Sequence, residues 1–132
     1  MSLTFMLDTD TVSFALRGEG GVAARILEHR PSELCVSALT LAELRFGVER
    51  RRSAKLDSPV TAFTGNLAVM PFDGACAITF GRLSSRLADR GSPIGELDVL
   101  IAAHAITLGL ILVTNNTRHF MRVRELRTQN WL

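Results

Sequence analysis

Residues 93–116 carry the clearest change of hydrophobic pattern in the chain. Apolar residues recur at helical spacing from 96 to 108, at Leu97, Leu100, Ile101, Ala105 and Leu108. Gly109 is expected to end this helix, because glycine adopts the left-handed backbone conformation of a C-cap without a Cβ clash. Residues 110–113 form an unbroken apolar run, which is typical of a strand buried on both faces of a parallel sheet.

The rest of the chain repeats this order of strand and helix. Strands are predicted over residues 3–7, 34–37, 67–72 and near 126–131, and helices over 11–16, 22–29, 39–52, 53–66 and 74–89. Thr9 or Asp10 is expected to cap the first of these helices and Asp73 the last. Pro59 is expected at a helix start, and Pro71 indicates an edge strand. The pattern predicts a three-layer α/β/α sandwich around a parallel sheet of four or five strands.

Length and composition set limits on this domain. The 132 residues are enough for a single domain over 1–132 with a real core. Apolar residues make up 47% of the chain, which suggests that a partner covers some apolar surface, such as a second copy in a homodimer. The longest apolar run, 99–113, is too short to span a membrane. Cys35 and Cys76 lie in apolar surroundings without metal-type spacing, so we expect buried free thiols and a cytoplasmic protein.

The basic residues are almost all arginine, Lys55 being the exception, although the net charge is only +2. Arginine suits bidentate contact with phosphate, whereas genomic composition bias is the alternative explanation. Tyrosine is absent and the phenylalanines look like core residues, so no aromatic platform for single strands is expected. A nucleic-acid partner would therefore be recognised by backbone shape and phosphate contact.

Four polar residues lie where open parallel sheets place their ligands. Asp8 follows the first strand, Glu43 lies in the helix after the second, Asp98 lies in the first turn of helix 96–108, and Asn116 follows strand 110–113. Each has a purely structural alternative. Asp8 and Asn116 suit turns, Thr40 and Glu43 match a capping box, and Asp98 and the nearby Glu96 suit a helix N-terminus.

Taken together, the three acids predict a metal site. Asp8, Glu43 and Asp98 would repel one another at one sheet edge unless a cation lay between them. Oxygen ligands without a thiolate or histidine select Mg²⁺, with Mn²⁺ as the alternative ion. Such an ion can activate water and stabilise charge during phosphodiester cleavage.

Four blocks of sequence resemble the PIN-domain family and, more closely, its VapC-type bacterial toxins: MLDTDTVSFALR, VSALTLAELRFGV, GSPIGELDVLIAAHA and ILVTNNTRHF. They occur in the family's order over essentially the whole chain. The resemblance implies an α/β/α fold and a Mg²⁺-dependent endoribonuclease that cuts structured RNA such as tRNA, including the anticodon loop of initiator tRNA. It also implies inhibition by a cognate VapB-type antitoxin. The implied catalytic residues are Asp8, Glu43, Asp98 and Asn116, and the implied metal ligands are the three acids. Many relatives have aspartate at the place of Asn116, which puts a second metal site in doubt.

Two other functions remain open at this point. Asp8 and Asp10 also match the opening of haloacid-dehalogenase-type phosphatases, but the lysine and late pair of acids that this chemistry needs are poorly matched. An inactive module that binds RNA or an antitoxin is the non-enzymatic alternative, although all three acids are present. His104 interrupts an apolar helix and is expected in the core or an interface, and His119 is expected on a surface loop or against RNA.

Overall fold

A computed structural model describes residues 2–52, 54–91 and 94–132 of the chain. Its centre is a five-stranded sheet in the order β3-β2-β1-β4-β5, and all four pairings are parallel. The strands are β1 Phe5–Leu7, β2 Leu34–Ser37, β3 Ala68–Met70, β4 Ile111–Val113 and β5 Thr128–Gln129. The central strand β1 therefore lies between β2 and β4, and the direction of winding reverses next to it.

The helices are α1 Thr9–Arg17, α2 Val22–Leu27, α3 Ala38–Arg51, α4 Ala54–Gly65, α5 Gly74–Asp89, α6 Glu96–Leu108 and α7 Thr117–Phe120. A short 3₁₀ helix, Pro31–Glu33, precedes β2. Asp73 caps α5 by accepting the backbone N–H of Cys76, and Gly109 ends α6 at a φ of 69°. Both caps confirm the sequence prediction.

The strands direct their side chains to two separate cores, which makes the fold a three-layer sandwich. On one face, Met6, Cys35 and Leu112 pack with α5 and α6. On the other face, Leu7 and Val36 pack with α1, α3 and α4. Neighbouring residues of one strand thus enter opposite layers, as the strand period of two requires. The predicted α/β/α architecture is confirmed.

Some element boundaries differ from the sequence prediction. Asp8, rather than Thr9 or Asp10, caps α1, which begins two residues early because Asp8 has extended backbone and accepts the Thr11 N–H. Pro59 lies inside α4 rather than at its start. The outer strands β3 and β5 are shorter than predicted, since only Ala68–Met70 and Thr128–Gln129 reach a neighbour to pair with. The end of the predicted loop 90–93 lies outside the described residues.

Burial settles several other predictions. Pro71 follows β3, which is an edge strand as expected. Both cysteines are free and buried, and burial raises the pKa of the Cys35 thiol to about 12. Within the described residues, no helix has the length and apolar character needed to cross a membrane.

Candidate active site

Asp8 lies at the carboxyl end of the central strand, beside the point where the winding of the sheet reverses. The residue is 7% exposed, and its carboxylate accepts the backbone N–H of Thr11 at 2.8 Å. Thr11 in turn donates from its hydroxyl to the carbonyl of Val113 at 3.0 Å, which ties α1 to the end of β4. Burial raises the pKa of Asp8, against the hydrogen bonds from Thr114 and Thr11. The carboxylate is thus fixed in place but costly to ionise.

Glu43 reaches the same region from α3. This helix begins at Ala38 with Ser37 as its cap, so the capping-box explanation of Thr40 and Glu43 is wrong. The Glu43 carboxylate instead accepts a hydrogen bond from the hydroxyl of Thr9 on α1. Burial is the largest cause of the raised pKa of Glu43.

Acidic side chains from several elements act electrostatically on Glu43. After burial, the charges of Asp98, Asp10 and Asp8 raise the pKa of Glu43 further, and the Thr9 hydrogen bond opposes them. The structure therefore brings the three predicted acids close enough to sense one another. Asp10, which is exposed, adds to the same field.

Asp98 lies in the first turn of α6, and its side chain is 41% exposed. Its Oδ2 atom lies 3.2 Å from Nε2 of His119, which comes from α7. This placement corrects the expectation that His119 occupies a surface loop, because its side chain is only 26% exposed and lies beside the acidic cluster.

Asn116 occupies a different position from the three acids. It is exposed and precedes α7, and its backbone N–H donates to the Thr114 hydroxyl at 3.0 Å. Within the described part of the chain, its side chain makes no hydrogen bond to Asp8, Glu43 or Asp98. Its direct contribution is the turn that connects β4 to the helix carrying His119.

A PIN-domain model matches residues 5–126 of the chain. The tRNA(fMet)-specific endonuclease VapC of Shigella flexneri is 36% identical over 130 residues, with 98% of each chain covered. Ribonuclease VapC2 of Haemophilus influenzae is 37% identical over 131 residues, covering 98% of this chain and 99% of its own. The DNA-bound VapBC crystal structure from Salmonella typhimurium gives a TM-score of 0.89 at 35% identity, covering 98% of this chain and 99% of that one.

The chain belongs to the PIN-domain family. Its full-length similarity to VapC proteins places it among the VapC-type ribonucleases of that family. The phosphatase interpretation of Asp8 and Asp10 therefore has no support beyond the short sequence match that suggested it.

Sequence reasoning did not predict the contacts by which four residues hold the acids of this PIN domain. Thr9, Thr11 and Thr114 hydrogen bond to the Glu43 and Asp8 carboxylates, and His119 lies against Asp98. Thr114 directly follows the inner strand β4, and this position at a strand's carboxyl end was the usable signal for it. His119 and Asp98 lie on separate helices, and no spacing in the sequence links them.

The donor set of this PIN domain fits a magnesium-type ion. Among the described residues, no three His, Cys, Asp or Glu side chains are grouped closely enough to hold an ion by themselves. Mg²⁺ usually keeps several waters and takes only one or two carboxylates, so a partly open acidic site suits it better than zinc. The raised pKa of Glu43 beside other acids is the electrostatic signature of a place where a cation is favoured.

The other candidates of the PIN domain have structural roles. His104 is fully buried, as predicted, and its Nδ1 atom lies 2.8 Å from the Ser37 hydroxyl. Arg45 forms an ion pair of 2.7 Å with Asp57 on α4, which directs it away from Glu43.

Proposed function

We propose that this PIN domain is a Mg²⁺-dependent endoribonuclease toxin that cuts tRNA, with the anticodon loop of initiator tRNA as its target. The observation that carries the proposal is the convergence of Asp8, Glu43 and Asp98 at the carboxyl edge of the sheet. A relative with 36% identity bears the name tRNA(fMet)-specific endonuclease, which supports the choice of substrate. A tRNA substrate would place the protein in the bacterial cytoplasm.

Each acid has a defined part in this proposal. The bound ion would supply charge stabilisation and a water of lowered pKa. Asp8, held by the Thr11 N–H and the Thr114 hydroxyl, would be the rigid ligand. Glu43 and Asp98 approach from α3 and α6 and would complete the negative side of the site. A bound cation would relieve the mutual repulsion of these carboxylates.

The same acidic cluster would receive an inhibitor. Guanidinium groups form forked hydrogen bonds to carboxylates, so an arginine of a cognate VapB-type antitoxin would be held by Asp8, Glu43 and Asp98. Solved relatives are VapBC complexes. The exposed apolar side chains of Phe46, Ile78 and Met121 provide surface for such a partner or for a homodimer.

Cleavage-site mapping on total cellular RNA tests the enzymatic proposal. The purified protein with Mg²⁺ should produce a small set of discrete cuts, and Asp98→Asn should abolish them. Glu96→Gln is the matched control. Glu96 is exposed in the same helical turn, and its substitution removes the same charge. Hydrolysis of a small phosphomonoester without any action on RNA would overturn the proposal in favour of a phosphatase. Equal cleavage by the parent and Asp98→Asn would exclude the proposed site.

Expression in cells tests the toxin assignment. The parent protein alone should arrest growth, whereas Asp8→Asn should be harmless and should still bind the antitoxin with reduced affinity. The reduction is expected because the inserted arginine loses part of its compensating charge. Harmless expression of soluble parent protein without antitoxin would contradict the toxin assignment and leave the fold unaffected.

A further inference from the structure

A cleft of about 220 Å³ opens directly beside Glu43, between α1, α3 and α4. That space is far larger than a single water needs, so it admits a ligand larger than a solvent molecule. Its walls include the apolar side chains of Leu16, Leu44, Leu56 and Val60. Thr9 and Glu43, which belong to the candidate active site, also line it. The cleft is therefore continuous with the acidic cluster.

Two helices run along this cleft with the same spacing. They present residues at intervals of four, namely Thr9, Ser13 and Arg17 of α1 and Glu43, Gly47 and Arg51 of α3. Eight residues of α-helix span about 12 Å, so each helix carries the cleft from a polar residue of the active site to an arginine well beyond it. The two arginines mark the end of the cleft remote from the acids.

The remote end of the cleft is positively charged. Lys55 of α4 joins Arg17 and Arg51 among the lining residues. Arg17 forms an exposed ion pair of 3.0 Å with Glu19, which costs little to break. Within the described part of the chain, neither Arg51 nor Lys55 lies within ion-pair distance of a carboxylate. The cleft thus has three cations at one end and the acidic cluster at the other. This arrangement matches a ligand that carries an anionic group at a fixed distance from the part bound at the acids.

We infer that this cleft binds the nucleotide next to the bond that is cut, with its backbone phosphate on Arg17, Arg51 and Lys55. The inference rests on the proposed ribonuclease function. The scissile phosphate would lie at the acids, and the adjoining sugar and base would lie against the apolar walls. Arg17 and Arg51 lie eight residues along their helices from Thr9 and Glu43, so we assign the three cations to a phosphate next to the scissile one. The cleft therefore fixes the direction in which the RNA strand leaves the active site.

Gly47 makes the width of the cleft testable. It lines the cleft, has no positive φ, and a Cβ built on it meets nothing within 4 Å. A side chain at this position would therefore enter free space rather than the protein core. Gly47→Trp should fill the cleft, whereas Gly47→Ala should leave it open and preserves the helix.

The first test removes charge. Binding of fluorescently labelled bulk tRNA is measured in an Asp8→Asn background, which stops turnover, at several salt concentrations. Arg51→Gln combined with Lys55→Gln should weaken binding at least tenfold and should make the dependence of log Kd on log salt shallower by about 1 to 2. Arg50→Gln combined with Arg52→Gln is the matched control, because both residues are exposed neighbours that do not line the cleft. The inference is overturned if the two pairs behave alike.

The second test measures cleavage of total RNA. Gly47→Trp should raise KM at least tenfold or shift the cut sites, and Gly47→Ala should match the parent. Normal cleavage by Gly47→Trp would overturn the inference. Loss of antitoxin binding by the Arg51 and Lys55 variant without loss of tRNA binding would also overturn it, because the cleft would then serve a protein partner. A parent protein that cuts no RNA would instead refute the proposed ribonuclease function.

Discussion

The hydroxyl of Thr9 donates a hydrogen bond to the carboxylate of Glu43, which joins the first turn of α1 to the middle of α3. Thr9 directly follows Asp8, so this bond also fixes the spacing between two of the three acids. It lowers the pKa of Glu43 against burial and the neighbouring negative charges. Thr9 is therefore expected to keep Glu43 both oriented and ionisable.

Thr9→Val should reduce RNA cleavage by about 10- to 100-fold, the loss expected when a hydrogen bond of about 1.5–3 kcal/mol to a charged group disappears. The pKa of Glu43 should rise further, so the pH profile of kcat/KM should move to higher pH. Thr9→Ser keeps the hydroxyl and is the control, for which near-parental activity is expected. Parental activity of Thr9→Val would show that the hydrogen bond to Glu43 is not needed for cleavage.

Asp8 variants should separate a chemical role from a structural one. Asp8→Asn retains a side-chain oxygen that can cap α1, whereas Asp8→Ala removes the cap and should cost about 0.5–2 kcal/mol of unfolding free energy. Both variants should lose RNA cleavage. Urea denaturation and a cleavage assay on the same samples measure the two effects. Residual cleavage by Asp8→Asn close to that of the parent would remove Asp8 from the catalytic site.

The stability of the metal-free protein should depend on pH through Asp8 and Glu43. Their folded pKa values are raised, so their stabilising contribution is complete below the ordinary carboxyl pKa of about 4 and is lost as pH rises through the folded pKa. Asp57 and Asp73 have lowered pKa values and act in the opposite direction. The contribution of Asp8 and Glu43 is therefore measured as the difference in unfolding free energy between the parent and a variant that lacks both carboxylates.

The double variant Asp8→Asn, Glu43→Gln should gain stability relative to the parent as pH rises from about 4 toward neutrality, with chelator present. Denaturant unfolding at several pH values provides the measurement. A difference that stays constant over this range would show that burial and charge repulsion do not act on these acids as described.

Addition of Mg²⁺ or Mn²⁺ should stabilise the parent protein by preferential binding to the folded state. An ion present at a hundredfold excess over its Kd raises the unfolding free energy by about 2.7 kcal/mol. Asp98→Asn should lose most of this gain, and Glu96→Gln should keep it. Thermal melting with and without the ion at neutral pH measures both, and identical parent curves would count against a metal site.

The sequence predicted the layers of the fold better than the contacts within the site. Uninterrupted runs such as Leu34–Ser37 indicate strands buried on both faces, and Gly109 indicates a helix end, because local chemistry decides both features. The prediction that Pro59 starts a helix was wrong, because α4 packs against the sheet and tolerates a proline in its interior. The proximity of Asp8, Glu43 and Asp98 was predicted from the parallel topology, and the charges of Asp8 and Asp98 do act on Glu43. The contact between Asp98 and His119 was not found, because only the folded chain brings α6 and α7 together.

The pairing of β1 with β4 has a consequence for how the protein is made. The Thr11 hydroxyl and the Val113 carbonyl, whose hydrogen bond ties α1 to the end of β4 beside Asp8, are 102 positions apart in the sequence. Contacts between such distant segments form late in folding, and a chain still emerging from the ribosome has Asp8 long before it has Asp98. A growing polypeptide therefore has no assembled acidic cluster before α6 has been synthesised, so the candidate site forms only in a nearly complete chain.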